Sequence, residues 1–113
     1  MDILPGADKA VVPIEKFTKY ALEPKHPRGS DKARVFRSVL GYTKENAEIL
    51  VARIKENVDK YPVVFKGMGN HGAKYEILME IEGINGRKGV IVTAWQIDHD
   101  TDYPKLISAY VDI

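Results

Sequence analysis

The stretch Lys74-Tyr-Glu-Ile-Leu-Met-Glu-Ile-Glu-Gly-Ile-Asn-Gly-Arg-Lys-Gly-Val-Ile-Val-Thr-Ala-Trp-Gln-Ile97 decides the fold of this chain. In its first part Tyr75, Ile77, Met79 and Ile81 alternate with Lys74, Glu76, Leu78, Glu80 and Glu82. A period of two marks a β-strand with one buried and one wet face. Asn85-Gly86 then supplies residues that tolerate the positive φ angles of a tight hairpin turn, so residues 88–97 should pair antiparallel with residues 74–82. Further on, residues 105–113 form a last strand, with apolar Ile107, Ala109 and Val111 on one face and Ser108, Tyr110 and Asp112 on the other. Residues 90–97 thereby become a central strand paired on both sides, and residues 63–65 are expected as an edge strand.

Ahead of this region the apolar period is helical. Pro13, Ile14, Phe17 and Ala21 have the spacing of a short first helix, which Pro24 ends by forcing the residue before it out of the α region. Residues 23–30, carrying Pro24, Pro27 and Gly29, form a loop. Ser30 or Asp31 can cap a second helix that runs to about Leu40 and stops at Gly41, with Ala33, Phe36 and Leu40 as its buried stripe. Thr43 caps a third, with Glu45 near the positive end of its dipole, and Ala47, Leu50, Val51, Ile54 and Val58 recur at helical intervals. The sum is an α+β architecture, about three N-terminal helices packed on one face of a three- or four-stranded antiparallel sheet. The other sheet face is left open.

A chain of 113 residues is long enough to bury a core and too short for two ordinary domains, so residues 1–113 are expected to form one domain. It has no cysteine, which excludes disulfides and a thiol nucleophile. No basic-then-apolar leader opens it, and no apolar run approaches the roughly 20 residues that span a bilayer. The expected location is cytoplasmic, or outside the cell as part of a larger secreted protein, with no membrane partner. The net charge of +1 excludes a general nucleic-acid coat. Its distribution is uneven, since Lys25, Arg28, Lys32, Arg34, Arg37 and Lys44 face only Glu23 and Asp31 between residues 23 and 44. Such a stretch is either a solvated helix face or a surface for phosphate.

Several motifs fail on context. Gly67, Gly69 and Gly72 have the spacing of a dinucleotide fingerprint, but a strand follows where a helix must hold the pyrophosphate. Asp98, Asp100 and Asp102 open like a calcium loop, yet Tyr103 and Ala109 stand where glycine and glutamate are required. His26, His71 and His99 lack metal-ligand spacing, so no metal and no cofactor is expected.

Two segments remain. In one, Tyr20 to Phe36, a histidine, an arginine and a lysine stand in and just after a rigid loop that leads into a helix. In the other, Thr93-Ala-Trp95 and Pro104-Lys-Leu-Ile-Ser-Ala-Tyr110 put polar and aromatic residues on adjacent strands. The run from Lys16 to Phe36 with Gly41, and the ending from Val92 through Tyr110, resemble an uncharacterised family of small bacterial domains found alone or at the C-termini of secreted toxins. The helices-then-sheet layout and the closing Pro-basic-Leu-x-Thr/Ser-x-Tyr strand are similar to the RNase fold shared by barnase, EndoU, colicin toxins and RelE.

The resemblance implies a metal-independent endoribonuclease that cleaves RNA by attack of a ribose 2′-hydroxyl on the adjacent phosphate. Carried onto this chain, His26, Lys32, Ser108 and Tyr110 are the implied catalytic groups, with His26 as acid/base. Arg28, Arg34, Trp95 and Lys105 would hold substrate. A second histidine is missing from the matching place in the last strands, and His71 and His99 fall in loops. Each residue also has a plainer account: His26 as a loop residue bonded to the backbone, Lys32 and Arg34 as helix surface, Trp95 as packing. The competing class is a protein-binding module, such as an immunity or antitoxin partner, anchored by Tyr110 and Trp95.

Overall fold

The alternating and helical periods translate directly into elements in the computed structural model, which describes residues 1–28 and 30–113. Gly29, counted in the loop above, lies outside the described residues. Four strands, β1 (Val63–Met68), β2 (Gly72–Glu82), β3 (Lys88–Asp98) and β4 (Lys105–Val111), form one antiparallel sheet in the order β1-β2-β3-β4. β3 is central to the expected pairs: Ile77 stands opposite Thr93 and Met79 opposite Ile91, while Thr93 meets Ala109 on its other side. The Gly67 to Gly72 run spans the end of β1, the turn at residues 69–71 and the start of β2. Gly72 has φ +152°, and a Cβ there would sit 2.0 Å from the Ile97 carbonyl oxygen, so a side chain at this position collides with backbone.

The helices precede the sheet. A π-helical turn, Phe17–Ala21, stands for the first. The second is α1 (Ser30–Val35) continued by a π-helical turn, Phe36–Leu40, which ends at Gly41 in the left-handed region. The third is α2 (Ala47–Asn57), entered through the 3-10 turn Lys44–Asn46, where Asn46 Oδ1 accepts the Thr43 N–H at 2.7 Å. Phe17, Phe36, Leu40, Leu50 and Ile54 share one buried cluster with Ile77, Met79, Ile81, Ile91 and Trp95, the residues of one sheet face. Tyr42 binds the layers together: its hydroxyl donates to the Glu82 carbonyl at 2.6 Å and accepts from Arg53 Nη1 at 2.7 Å.

Two details depart from the sequence reading. The β2–β3 connection is longer than a two-residue hairpin turn, because Asn85-Gly86 sits within residues 83–87 and the tip docks on the second helix. Ile84 N–H donates to the Leu40 carbonyl at 2.8 Å, and Asn85 Nδ2 to the Val39 carbonyl at 3.1 Å. In β4, Ser108 pairs with Ala94 but Leu106 pairs with Trp95, which leaves Ile107 as an extra, unpaired residue. This β-bulge changes the phase of the strand. Leu106 takes the buried place expected of Ile107, and Ile107 turns outward at 39% exposure. Ala109 and Val111 remain buried. Among the described residues no helix is long and apolar enough to cross a membrane.

Candidate functional site

β4 is an edge strand, and the helical segments pack beside it. The N-terminal stretch covers the start of its free edge, where Val11 donates to the Pro104 carbonyl and accepts from Leu106, each at 2.9 Å. Beyond this point the edge borders a cleft of about 230 Å³ lined by Lys16, Tyr20, His26, Arg28, Lys32 and Ser108, with Ala21, Ile107 and Ala109 as its apolar part. The phase of β4 explains the last three strand residues. Ala109 points to the core, Ser108 to the open face, and the bulge turns Ile107 toward the opening.

The loop is held by its own hydrogen bonds. His26 N–H donates to the Glu23 carbonyl at 3.2 Å, and Ser30 N–H to the His26 carbonyl at 3.1 Å. The imidazole is fixed from two directions. Its Nδ1 accepts the Arg28 backbone N–H at 3.0 Å, and its ring meets the Tyr20 ring edge-on with centroids 5.0 Å apart. A neutral ring that accepts at Nδ1 carries its proton on Nε2. Glu23, the nearest acid in the sequence, is turned away: its carboxylate takes the Lys44 ammonium and the Lys25 N–H. The Lys44 ammonium, followed by that backbone N–H, holds the Glu23 carboxyl below its ordinary range.

The charge of the cleft is one-sided. Among the described residues the ion pairs use Lys9, Arg34 and Lys44, so Lys16, Arg28 and Lys32 have no carboxylate partner. Among the described residues no Asp or Glu lines the cleft. Like cations held together without a counter-charge raise the local potential and attract an anion. Lys16 stands over the Tyr20 ring at 5.7 Å, and Lys32 over the Tyr110 ring at 5.4 Å. Lys32 also borders a second, shallower groove with Asp31, Val35, Tyr110 and Val111, so Tyr110 adjoins the cleft through Lys32.

The structure thus gathers His26, Arg28, Lys32 and Ser108, places Tyr110 next to them, and leaves three expected residues elsewhere. Trp95 is 1% exposed in the core, with Nε1 donating to Thr93 Oγ1 at 2.8 Å, and it offers no face to a substrate. Arg34 lies on the far side of α1, paired with Asp31 at 3.3 Å, in a groove shared with Arg37, Thr43 and Glu45. Lys105 is exposed at the start of β4 and does not line the cleft. His71 and His99 share a separate groove with Asn70, Gln96, Asp98 and Asp100. There Asp98 accepts from Gln96 Nε2 at 2.6 Å, and Asp102 is paired with Lys9 at 2.7 Å. Lys16 and Tyr20 are the cleft residues that sequence reasoning missed. The signal was present, since they stand four apart on the helical segment whose Phe17 and Ala21 are buried, and so share its wet side.

Compared with known proteins, the chain matches over residues 3–113 a family described as Domain of unknown function (DUF6883). No curated protein and no solved structure matches it.

Proposed function

We propose that this chain, which belongs to the DUF6883 family, is a metal-independent endoribonuclease. The observation that carries the proposal is the meeting of three carboxylate-free cations, one histidine and one serine in a single cleft. A phosphodiester passing to a phosphorane gains negative charge on its oxygens, and fixed cations at that point stabilise it. Lys16, Arg28 and Lys32 supply the charge, and the Ser108 hydroxyl can donate to a phosphate oxygen.

The reaction balances without a cofactor. The 2′-oxygen forms a bond to phosphorus as its proton passes to His26, and the bond to the 5′-oxygen breaks as that oxygen takes a proton from the Lys32 ammonium. The products are a 2′,3′-cyclic phosphate and a 5′-hydroxyl. Taking a proton has a local cost for His26. Nδ1 already holds the Arg28 N–H, so a proton gained there, or an internal transfer that frees Nε2, breaks that hydrogen bond. That hydrogen bond must therefore give way as the proton moves.

The second reading, a protein-binding module, draws on a different observation: among its described residues the cleft has no second histidine and no carboxylate beside His26. One assay separates the two. In EDTA, the purified protein should cleave single-stranded RNA to 2′,3′-cyclic ends, and His26→Ala should abolish cleavage without lowering the melting temperature. Wild-type protein that leaves single-stranded RNA, tRNA and rRNA intact favours the binding module.

A further inference from the structure

Resting on the ribonuclease reading above, we infer that the cleft takes single-stranded RNA with bases unstacked, and that Tyr20 and Tyr110 are the surfaces on which bases flanking the bound phosphate stack. Both rings are open to solvent, Tyr20 at 50% and Tyr110 at 39% exposure. Each lies under a cation that belongs to the cleft, Lys16 for Tyr20 and Lys32 for Tyr110, and the Tyr20 ring also meets His26 edge-on. Lys32 lines the cleft and the groove of Tyr110 alike, and Asp31, which also borders that groove, is paired with Arg34, so the rings flank one continuous path. Exposed aromatic faces alternating with cations are what an unpaired strand requires, because its bases are free to stack while its phosphates seek charge. A duplex keeps its base faces inside the stack and has no use for these rings.

The sheet favours the same path. Leu78, Val92 and Tyr110 stand side by side across β2, β3 and β4 on the open face, and Leu78 and Tyr110 pack over Val92, leaving it buried there. Tyr110 therefore rises from an apolar floor. The groove on the far side of α1 is lined by Asp31 and Glu45 against Arg34, Arg37 and Lys44, and two of those cations are already paired, Arg34 with Asp31 and Lys44 with Glu23, which makes it the poorer route for a polyanion. When a base stacks on either tyrosine, the lysine over that ring is in place to move onto the adjacent phosphate.

The test uses fluorescein-labelled 2′-O-methyl RNA, which binds but lacks the attacking hydroxyl, read by fluorescence anisotropy as a single strand and as a hairpin duplex of the same composition. The single strand should bind more tightly. Tyr20→Leu and Tyr110→Leu should each weaken that binding by about 5- to 150-fold, the range of one stacked base. Tyr20→Phe and Tyr110→Phe, which keep the rings, should retain wild-type affinity, and leucine variants that melt at the wild-type temperature show that their loss is not a folding defect. Leucine variants that bind like wild type, or a duplex bound equally well, overturn the stacking inference while cleavage of unmodified RNA leaves the ribonuclease reading in place. A wild-type protein that neither binds nor cleaves single-stranded RNA overturns both.

Discussion

Replacing Thr93 by valine isolates the contribution of one buried hydroxyl at the centre of the sheet. Thr93 is fully buried, donates through Oγ1 to the Ile77 carbonyl at 2.9 Å and accepts from Trp95 Nε1 at 2.8 Å. Valine keeps the branched shape, so no cavity opens and only the polar terms change. The Trp95 N–H is left buried without an acceptor, at about 1–3 kcal/mol, and the lost bond to Ile77 adds about 0.5–1.5 kcal/mol. The expected cost is about 2–4 kcal/mol, which for a chain of this length lowers the melting temperature by roughly 8–16 °C. Urea denaturation measures it, and repeating Thr93→Val in a Trp95→Phe background should recover about 1–2 kcal/mol, because no indole N–H is orphaned there. A valine variant within about 0.5 kcal/mol of wild type, or an equal cost in both backgrounds, refutes the reasoning.

Two further outcomes concern the frame. Ile54→Ala, at a fully buried position of α2, should cost about 2–5 kcal/mol in denaturant, and a loss under about 0.5 kcal/mol would place the side chain at the surface. Burial holds the Tyr42 phenol above its ordinary value of 10.0, with the Arg53 guanidinium acting in the opposite direction. A raised folded-state value favours the protonated form, so its stabilisation is complete below about pH 10 and declines as pH rises through the raised value. The melting temperature should thus fall more steeply above pH 10 in wild type than in Tyr42→Phe, and identical slopes would count against it.

The sheet was legible because each of its strong signals is local. Alternation in residues 74–82 and the turn at Asn85-Gly86 act between neighbours in the chain, as do the stripe of Leu50 and Ile54 and the stop at Gly41. Ile107 shows where this fails. Whether a strand carries a bulge depends on its partner, and nothing within residues 105–111 announces that Trp95 will face Leu106. The same limit left Trp95 with two accounts, packing or substrate, because its alternation is clear but its covered side depends on which face the helices choose. In the site, His26, Arg28 and Lys32 are close in sequence and were found together. Lys16 and Tyr20 precede Pro24, and only the folding back of the loop brings them alongside. Arg34 was misread because α1 turns it roughly opposite Lys32, two residues away on a helix of 3.6 residues per turn.

The edge position of β4 also sets when the cleft can exist. Lys16, Arg28 and Lys32 provide its cationic wall, but Ser108, Ile107 and Ala109 belong to the strand latest in sequence. During synthesis, at about 5–20 residues per second, the helical wall leaves the ribosome several seconds before its counterpart. Through that interval the cations stand on an unfinished surface with no opposing strand, beside the ribosome's own RNA. Docking of β4 against β3 is then the step that turns a scattered set of charges into a cleft, and it waits for residues 105–111.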